Sequence, residues 1–178
     1  MARNCPLPNV SKEELENLVS PWIAKRHHDV EVDHDSVAWK LNPTKEELHR
    51  MRAYYYANVE MIDNQVGNIL DTLEVRGNMD NTIIIFTSDH GDNLGDHGLI
   101  QKWAPYEEVT RVPLIISAPQ RFKSGQTINA MIQLFDLAPT ILEWAGIDPN
   151  PTFEAISLNP ALQGSKFYGR DHVFCEQA

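Results

Sequence analysis

The chain has 178 residues, 42% of them hydrophobic and 22% charged, with a formal net charge of −10. That length suits one domain with a packed core rather than two, and the acidic balance argues against a nucleic-acid partner, whose phosphates select basic faces. Cys5 and Cys175 are the only cysteines, so no disulfide framework or thiolate zinc site is available.

From Met1 to Pro43 the sequence is polar, proline-punctuated and weakly periodic, and we treat residues 1–43 as an irregular segment. Its opening, "MARNCPLPNVSKEE", lacks the apolar centre of a secretion signal. No run anywhere in the chain approaches the ~20 apolar residues of a membrane span. The compartment is therefore unknown, cytoplasmic by default. In "SKEELENLVSPWIAK" Ser11 and Glu14 form a capping-box pattern for a short helix, which Pro21 should bend or end. "HHDVEVDHD" then gathers histidines and aspartates without regular spacing, and we read it as a solvated loop rather than a ligand cluster.

A second capping box, Thr44 with Glu47, opens a helix whose apolar stripe runs through Leu48, Met51, Tyr55, Val59, Ile62, Val66, Ile69 and Leu73 before Gly77 ends it. Such a stripe should lie against a sheet, with one residue of the Tyr54–Tyr56 trio in the core and two at its edge. "NTIIIFTSD" and "RVPLIISAP" lack alternation and read as strands covered on both faces. "DLAPTILEWAG" follows as a helix, capped by Asp136 and closed by Gly146. The fold class is α/β, a sandwich with a largely parallel sheet flanked by helices, occupying residues 44–146. Residues 147–178 form an irregular extension that ends in a strand pattern, "DHVFCEQA".

Between the two strands the text changes character, in "SDHGDNLGDHGLIQK". Ligands of open α/β sheets gather beyond the carboxyl ends of strands, and an acid there needs a partner or a cation. Asp89 and His90 suit a divalent ion. The carboxylate favours Ca²⁺ or Mg²⁺, while the imidazole pulls towards Mn²⁺ or Zn²⁺. Two neighbours do not complete a site. Gly91, Gly95 and Gly98 let the loop turn sharply, and His97 and Lys102 add an imidazole and an ammonium suited to an anionic oxygen. Taken singly, each of these two is more simply a local or solvated side chain. Asp92 and Asp96 read as turn formers rather than ligands.

Together, "DNTIIIFTSDHGDNLGDHGLIQK", "YEEVTRVPLIISAP", "RAYYYANVEMIDNQVGNILDTLEVRG" and "LFDLAPTILEWAGI" resemble the sulfatase family of the alkaline-phosphatase superfamily, from about Arg52 onward. The resemblance implies that Asp89 and His90 are metal ligands, usually of Ca²⁺. It also implies that Lys102 contacts the sulfuryl or phosphoryl oxygens, and it makes His97, in the matching loop, a second catalytic candidate. Many sulfatases carry Asn in place of His90; the Asp-His form is also similar to phosphonate and phosphodiester hydrolases of the superfamily, which often prefer Mn²⁺.

Members of the family attack with a formylglycine made within a C/S-x-P-S-R motif. "CPLPN" at Cys5 does not match it. "SAPQR", Ser117–Arg121, has the spacing but follows the Asp-His pair, whereas the family's nucleophile precedes it. The expectation is thus the C-terminal portion of a sulfatase catalytic domain, inactive alone. Its partners would be a small anionic sulfate ester and the N-terminal half, with neither nucleic acid nor membrane. The alternatives are a phosphonate monoester or phosphodiester hydrolase, and a non-catalytic remnant.

Overall fold

The computed structural model describes residues 5–32, 42–102 and 104–175. Its regular elements are α1 (Lys12–Glu16), α2 (Ser20–Val32), α3 (Lys45–Val75), β1 (Ile84–Thr87), α4 (Glu107–Thr110), β2 (Leu114–Ser117), α5 (Leu137–Trp144) and α6 (Asn159–Leu162). They divide into two compact units. One comprises Met1–Gly77 and His90–Val112, the other Asn78–Asp89 and Pro113–Ala178.

In the first unit the Ser11 hydroxyl accepts the Glu14 amide at 3.0 Å and starts α1 as an N-cap, while the Glu14 carboxylate turns to His97. The helix stops at Asn17, however, well short of Pro21. Pro21 instead sits in the first turn of α2, where its missing N–H costs nothing. With no glycine or further proline to break it, α2 runs on through His27 and His28, which we had expected in a loop. Residues 33–35, the rest of that segment, lie outside the described residues.

The long helix α3 begins with its full capping box: Thr44 Oγ1 accepts the Glu47 amide at 3.3 Å and Glu47 Oε2 accepts the Thr44 amide at 2.8 Å. It is released at Gly77, whose φ of 66° is the left-handed geometry that terminates helices. The burial of its stripe differs from expectation. Leu48 and Met51 are half-buried, but Val59, Ile62 and Ile69 are exposed, and so are Tyr54, Tyr55 and Tyr56. Periodicity identifies residues that share a face without supplying what lies opposite, and both described strands belong to the other unit. The buried residue of α3 is a charged one, Arg52.

In the second unit β1 pairs with β2 antiparallel, Ile84 facing Ser117 and Thr87 facing Leu114. This corrects the expectation of parallel neighbours for the described pair. Parallel strands need a crossover, whereas the chain here leaves β1 at Thr87 and returns directly opposite it. Nor is the pair covered on both faces. Phe86 and Ile115 stand opposite one another and are both exposed, and β2 alternates between half-covered and open positions. Further on, a 3₁₀ turn, Leu134–Asp136, leads into α5, where Pro139 and Thr140 are buried and Gly146 closes the helix with φ 73°.

Asp136 does not cap α5 through its side chain, as the sequence had suggested. Its carboxylate accepts the amides of Gln133 and Ile156, both at 2.8 Å, and pairs with Arg170. Arg170 in turn forms an isolated antiparallel bridge with Met131. The terminal segment expected as a strand has no regular structure through Cys175, and residues 176–178 lie outside the described residues. An extended stretch becomes a strand only where a neighbour offers its ladder.

Candidate functional site

Asp89 lies two residues beyond the end of β1, at its carboxyl end, and is exposed. Ser88 Oγ approaches its Oδ1 at 3.4 Å. The sequence placed an acid at this position, and the strand delivers it there.

His90 opens the return to the other unit. Its Nδ1 is 2.7 Å from the carbonyl oxygen of Gly91. A carbonyl can only accept, so the contact puts a proton on Nδ1, and a neutral ring then has its lone pair on Nε2. That tautomer is the one a metal-ligating histidine adopts when its other nitrogen is held by a backbone carbonyl. Gly91 is required where it stands: its amide donates to the Val109 carbonyl at 2.8 Å, and a Cβ there would fall 1.8 Å from the carbonyl oxygen of Glu108.

The loop that follows is wound by its own polar groups. Asp92 Oδ1 accepts the amides of Leu94 and Gln101, at 2.8 and 3.0 Å, the turn role expected of it. Asn93 is fully buried, and both its amide and its Nδ2 donate to the Gln101 carbonyl. Among the described residues the non-glycine residues with positive φ are Leu94, His97 and Gln101, all within this one loop. Left-handed backbone at such residues costs ~1–3 kcal/mol each and persists only where surroundings over-determine it.

Arg52 ties the loop to α3. Projecting from α3, its Nε donates to the Leu94 carbonyl at 3.0 Å, its Nη1 to the Pro6 carbonyl at 3.4 Å and its Nη2 to Asp96 Oδ2 at 2.6 Å. Asp96 also accepts the Asn9 amide, so it forms a clasp rather than the local turn we expected. Gly95 (φ 90°) sits where a Cβ would meet Pro8 at 2.8 Å and Leu48 at 3.1 Å. The sequence reading missed Arg52. Its one signal is position: it follows Leu48 by four residues, on the face of α3 that the stripe defines.

His97 and Lys102 end up in different settings. The His97 ring stacks on Tyr106 with centroids 3.7 Å apart and planes 7° from parallel. Its Nδ1 is 2.5 Å from Glu14 Oε1 and its Nε2 3.3 Å from Glu108 Oε2. Burial alone would lower its pKa, but the hydrogen bonds and charges of Glu14 and Glu108 outweigh that and raise it. Lys102 is exposed, in the turn that closes the loop.

No three or more His, Cys, Asp or Glu side chains gather as a metal-holding group among the described residues. Asp89, by its place after β1, and His90, by its tautomer, fit as members of such a set but do not make a whole one. Among the described residues no helix is long and apolar enough to cross a membrane.

The Sulfatase family model matches residues 18–147, most of the chain and the whole of this loop. The chain belongs to the sulfatase family. It is thereby a member of the alkaline-phosphatase superfamily. This sulfatase-family chain is 36% identical over 137 residues to an arylsulfatase of Clostridium perfringens, covering 75% of this chain and 28% of that protein. It is 43% identical over 109 residues to an N-acetylglucosamine-6-O-sulfatase of Bacteroides thetaiotaomicron, covering 61% of this chain and 20% of that one. In structure it is similar to a phosphonate monoester hydrolase from Silicibacter pomeroyi, with a TM-score of 0.81 at 28% identity, over 93% of this chain and 33% of the other. The sulfatase-family chain thus spans about a third or less of the length of these relatives.

Proposed function

We propose that this chain is the C-terminal part of a metal-dependent sulfatase that hydrolyses sulfate esters, with Asp89 and His90 among the ligands of its divalent cation. The observation that carries the reading is the placement of Asp89 directly beyond β1 in a chain whose family match runs through the same loop. A hard carboxylate ligand favours Ca²⁺, with Mn²⁺ or Mg²⁺ as alternatives. When bound, the cation supplies Lewis-acid polarisation of the sulfuryl oxygens. Asp89 would contribute a charged oxygen to its shell, and His90 its Nε2, with Nδ1 bonded to the Gly91 carbonyl. Lys102 would offset negative charge on the bridging oxygen of the ester. The formylglycine nucleophile belongs to a segment of the parent polypeptide outside this chain, which alone is inactive.

The test is aryl sulfate turnover by the chain alone and by a polypeptide that joins it to the formylglycine-bearing segment. The first should stay at background and the second should turn over. A background rate from both, with the formylglycine verified by mass spectrometry, would overturn the reading.

The likeness to the phosphonate monoester hydrolase favours a second reading, hydrolysis of phosphonate monoesters or phosphodiesters at the same site. Rates on aryl sulfate and aryl phosphonate, each with Ca²⁺ and then Mn²⁺, separate the two.

A further inference from the structure

His97 presents both ring nitrogens to carboxylates, Nδ1 to Glu14 on α1 and Nε2 to Glu108 on α4. A neutral imidazole has one N–H, so it can satisfy only one of these acceptors and turns a lone pair on the other. Only the imidazolium makes both bonds, and each is then charge-assisted. The remaining face of the ring lies on Tyr106. The groups that face His97 are therefore Glu14 from α1, Glu108 from α4 and Tyr106 just before α4, with the Arg52–Asp96 pair beginning one residue away. A left-handed φ of 56° at His97 fixes the direction of the ring. The cluster forms no metal-holding group.

We propose that His97 is a charged positioning residue, an imidazolium latch that pins α1 and α4 to the loop ending at Lys102 and weakens its hold on them when it loses its proton. The latch itself does not depend on the sulfatase reading; only its consequence for Lys102 does. The raised pKa gives the direction. A group whose folded value lies above its ordinary one, 6.5 for histidine, contributes stability in full below that value and loses it as pH rises through the folded value. The loop is accordingly tightest on the acid side and loosens on the alkaline side. This distinguishes His97 from a general base, which would be most useful once deprotonated.

The experiment is amide hydrogen exchange of the 178-residue chain from pH 5 to 9, above the range where glutamates ordinarily protonate, corrected for intrinsic exchange. The amides of Gly98 and Leu99, which donate to Gly95 and Asp96 carbonyls, report the loop, and that of Leu15, which donates to Ser11, reports α1. Loop and α1 should lose protection together, roughly tenfold or more, with one midpoint above 6.5 that matches the His97 ring titration followed by NMR. His97→Asn keeps a residue that tolerates left-handed backbone and should abolish the step. Glu14→Gln and Glu108→Gln keep the histidine and should each lower its midpoint. A ring titration at or below 6.5, a step that survives His97→Asn, or a midpoint indifferent to both glutamine variants would overturn the proposal.

Discussion

Arg52 Nη2 stands 2.6 Å from Asp96 Oδ2, and both side chains are largely withdrawn from solvent, at 7% and 16% exposure. The same guanidinium holds the carbonyls of Leu94 and Pro6, so one side chain of α3 ties the N-terminal segment and the loop to the helix. Removing one partner of a buried pair leaves the other charge uncompensated, at a cost of ~3–5 kcal/mol. Arg52→Met should therefore lower the urea unfolding free energy by about 3 kcal/mol or more. Arg52→Lys should recover only part of it, because an ammonium cannot serve three acceptors in a fixed fork. A loss under ~0.5 kcal/mol, the usual range for surface changes, would mean that the pair does not hold the loop.

Gly91→Ala tests the close approach beside His90. Its methyl would collide with the Glu108 carbonyl oxygen, a backbone atom that cannot rotate away. The expected cost is ~1–3 kcal/mol of stability, as for overpacking in general, with amide chemical-shift changes spread over His90–Asn93 and Glu108–Val109. Shifts confined to Gly91 itself would show that the two segments are not in contact.

In the second unit the Asp136 carboxylate is fully buried. Burial alone would raise its pKa, but hydrogen bonds from Arg170, Gln133 and Ile156 and the charge of Arg170 together hold it below the usual carboxylate value. A depressed folded pKa contributes stability that is present above the unfolded value of about 3.9 and is lost as pH falls through the folded one. Acid unfolding of the wild type should show this loss below about pH 4. Asp136→Asn should be less stable at neutral pH, with a flatter acid limb. Parallel acid limbs for the two proteins would contradict the assignment.

The exposed half of the α3 stripe makes a contrasting prediction. Ile69 is 61% exposed, so Ile69→Gln should change the stability of this chain by no more than ~0.5 kcal/mol. A loss of 2 kcal/mol or more, of the size seen for truncated core residues, would show that the stripe is buried in solution.

These contrasts show where the chain was legible. The side-chain cap at Ser11, the capping box at Thr44 and the stop at Gly77 are local chemistry, and each stands where the sequence placed it. The acid after β1 was legible for the same reason, since a strand carries its last residues in a direction that its own pattern sets. Arg52–Asp96 and Asp136–Arg170 were not, because their partners lie 44 and 34 positions apart and no local pattern says which residue pairs with which. The burial of α3 was misread for a different reason. Its period shows which residues share a face, whereas burial depends on what lies against that face. His97 illustrates the same limit at the candidate site. The motif supplied the residue, and only the fold brought Glu14 from 83 positions away to its ring.

The central claim, that Asp89 and His90 ligate a catalytic cation, is tested most directly by Asp89→Ala in the polypeptide that carries both this chain and a verified formylglycine. Loss of a cation ligand removes several kcal/mol of transition-state stabilisation, so aryl sulfate hydrolysis should fall about a thousandfold and depend more steeply on added Ca²⁺ or Mn²⁺. Equal rates for Asp89→Ala and the wild type, with unchanged metal dependence, would contradict it.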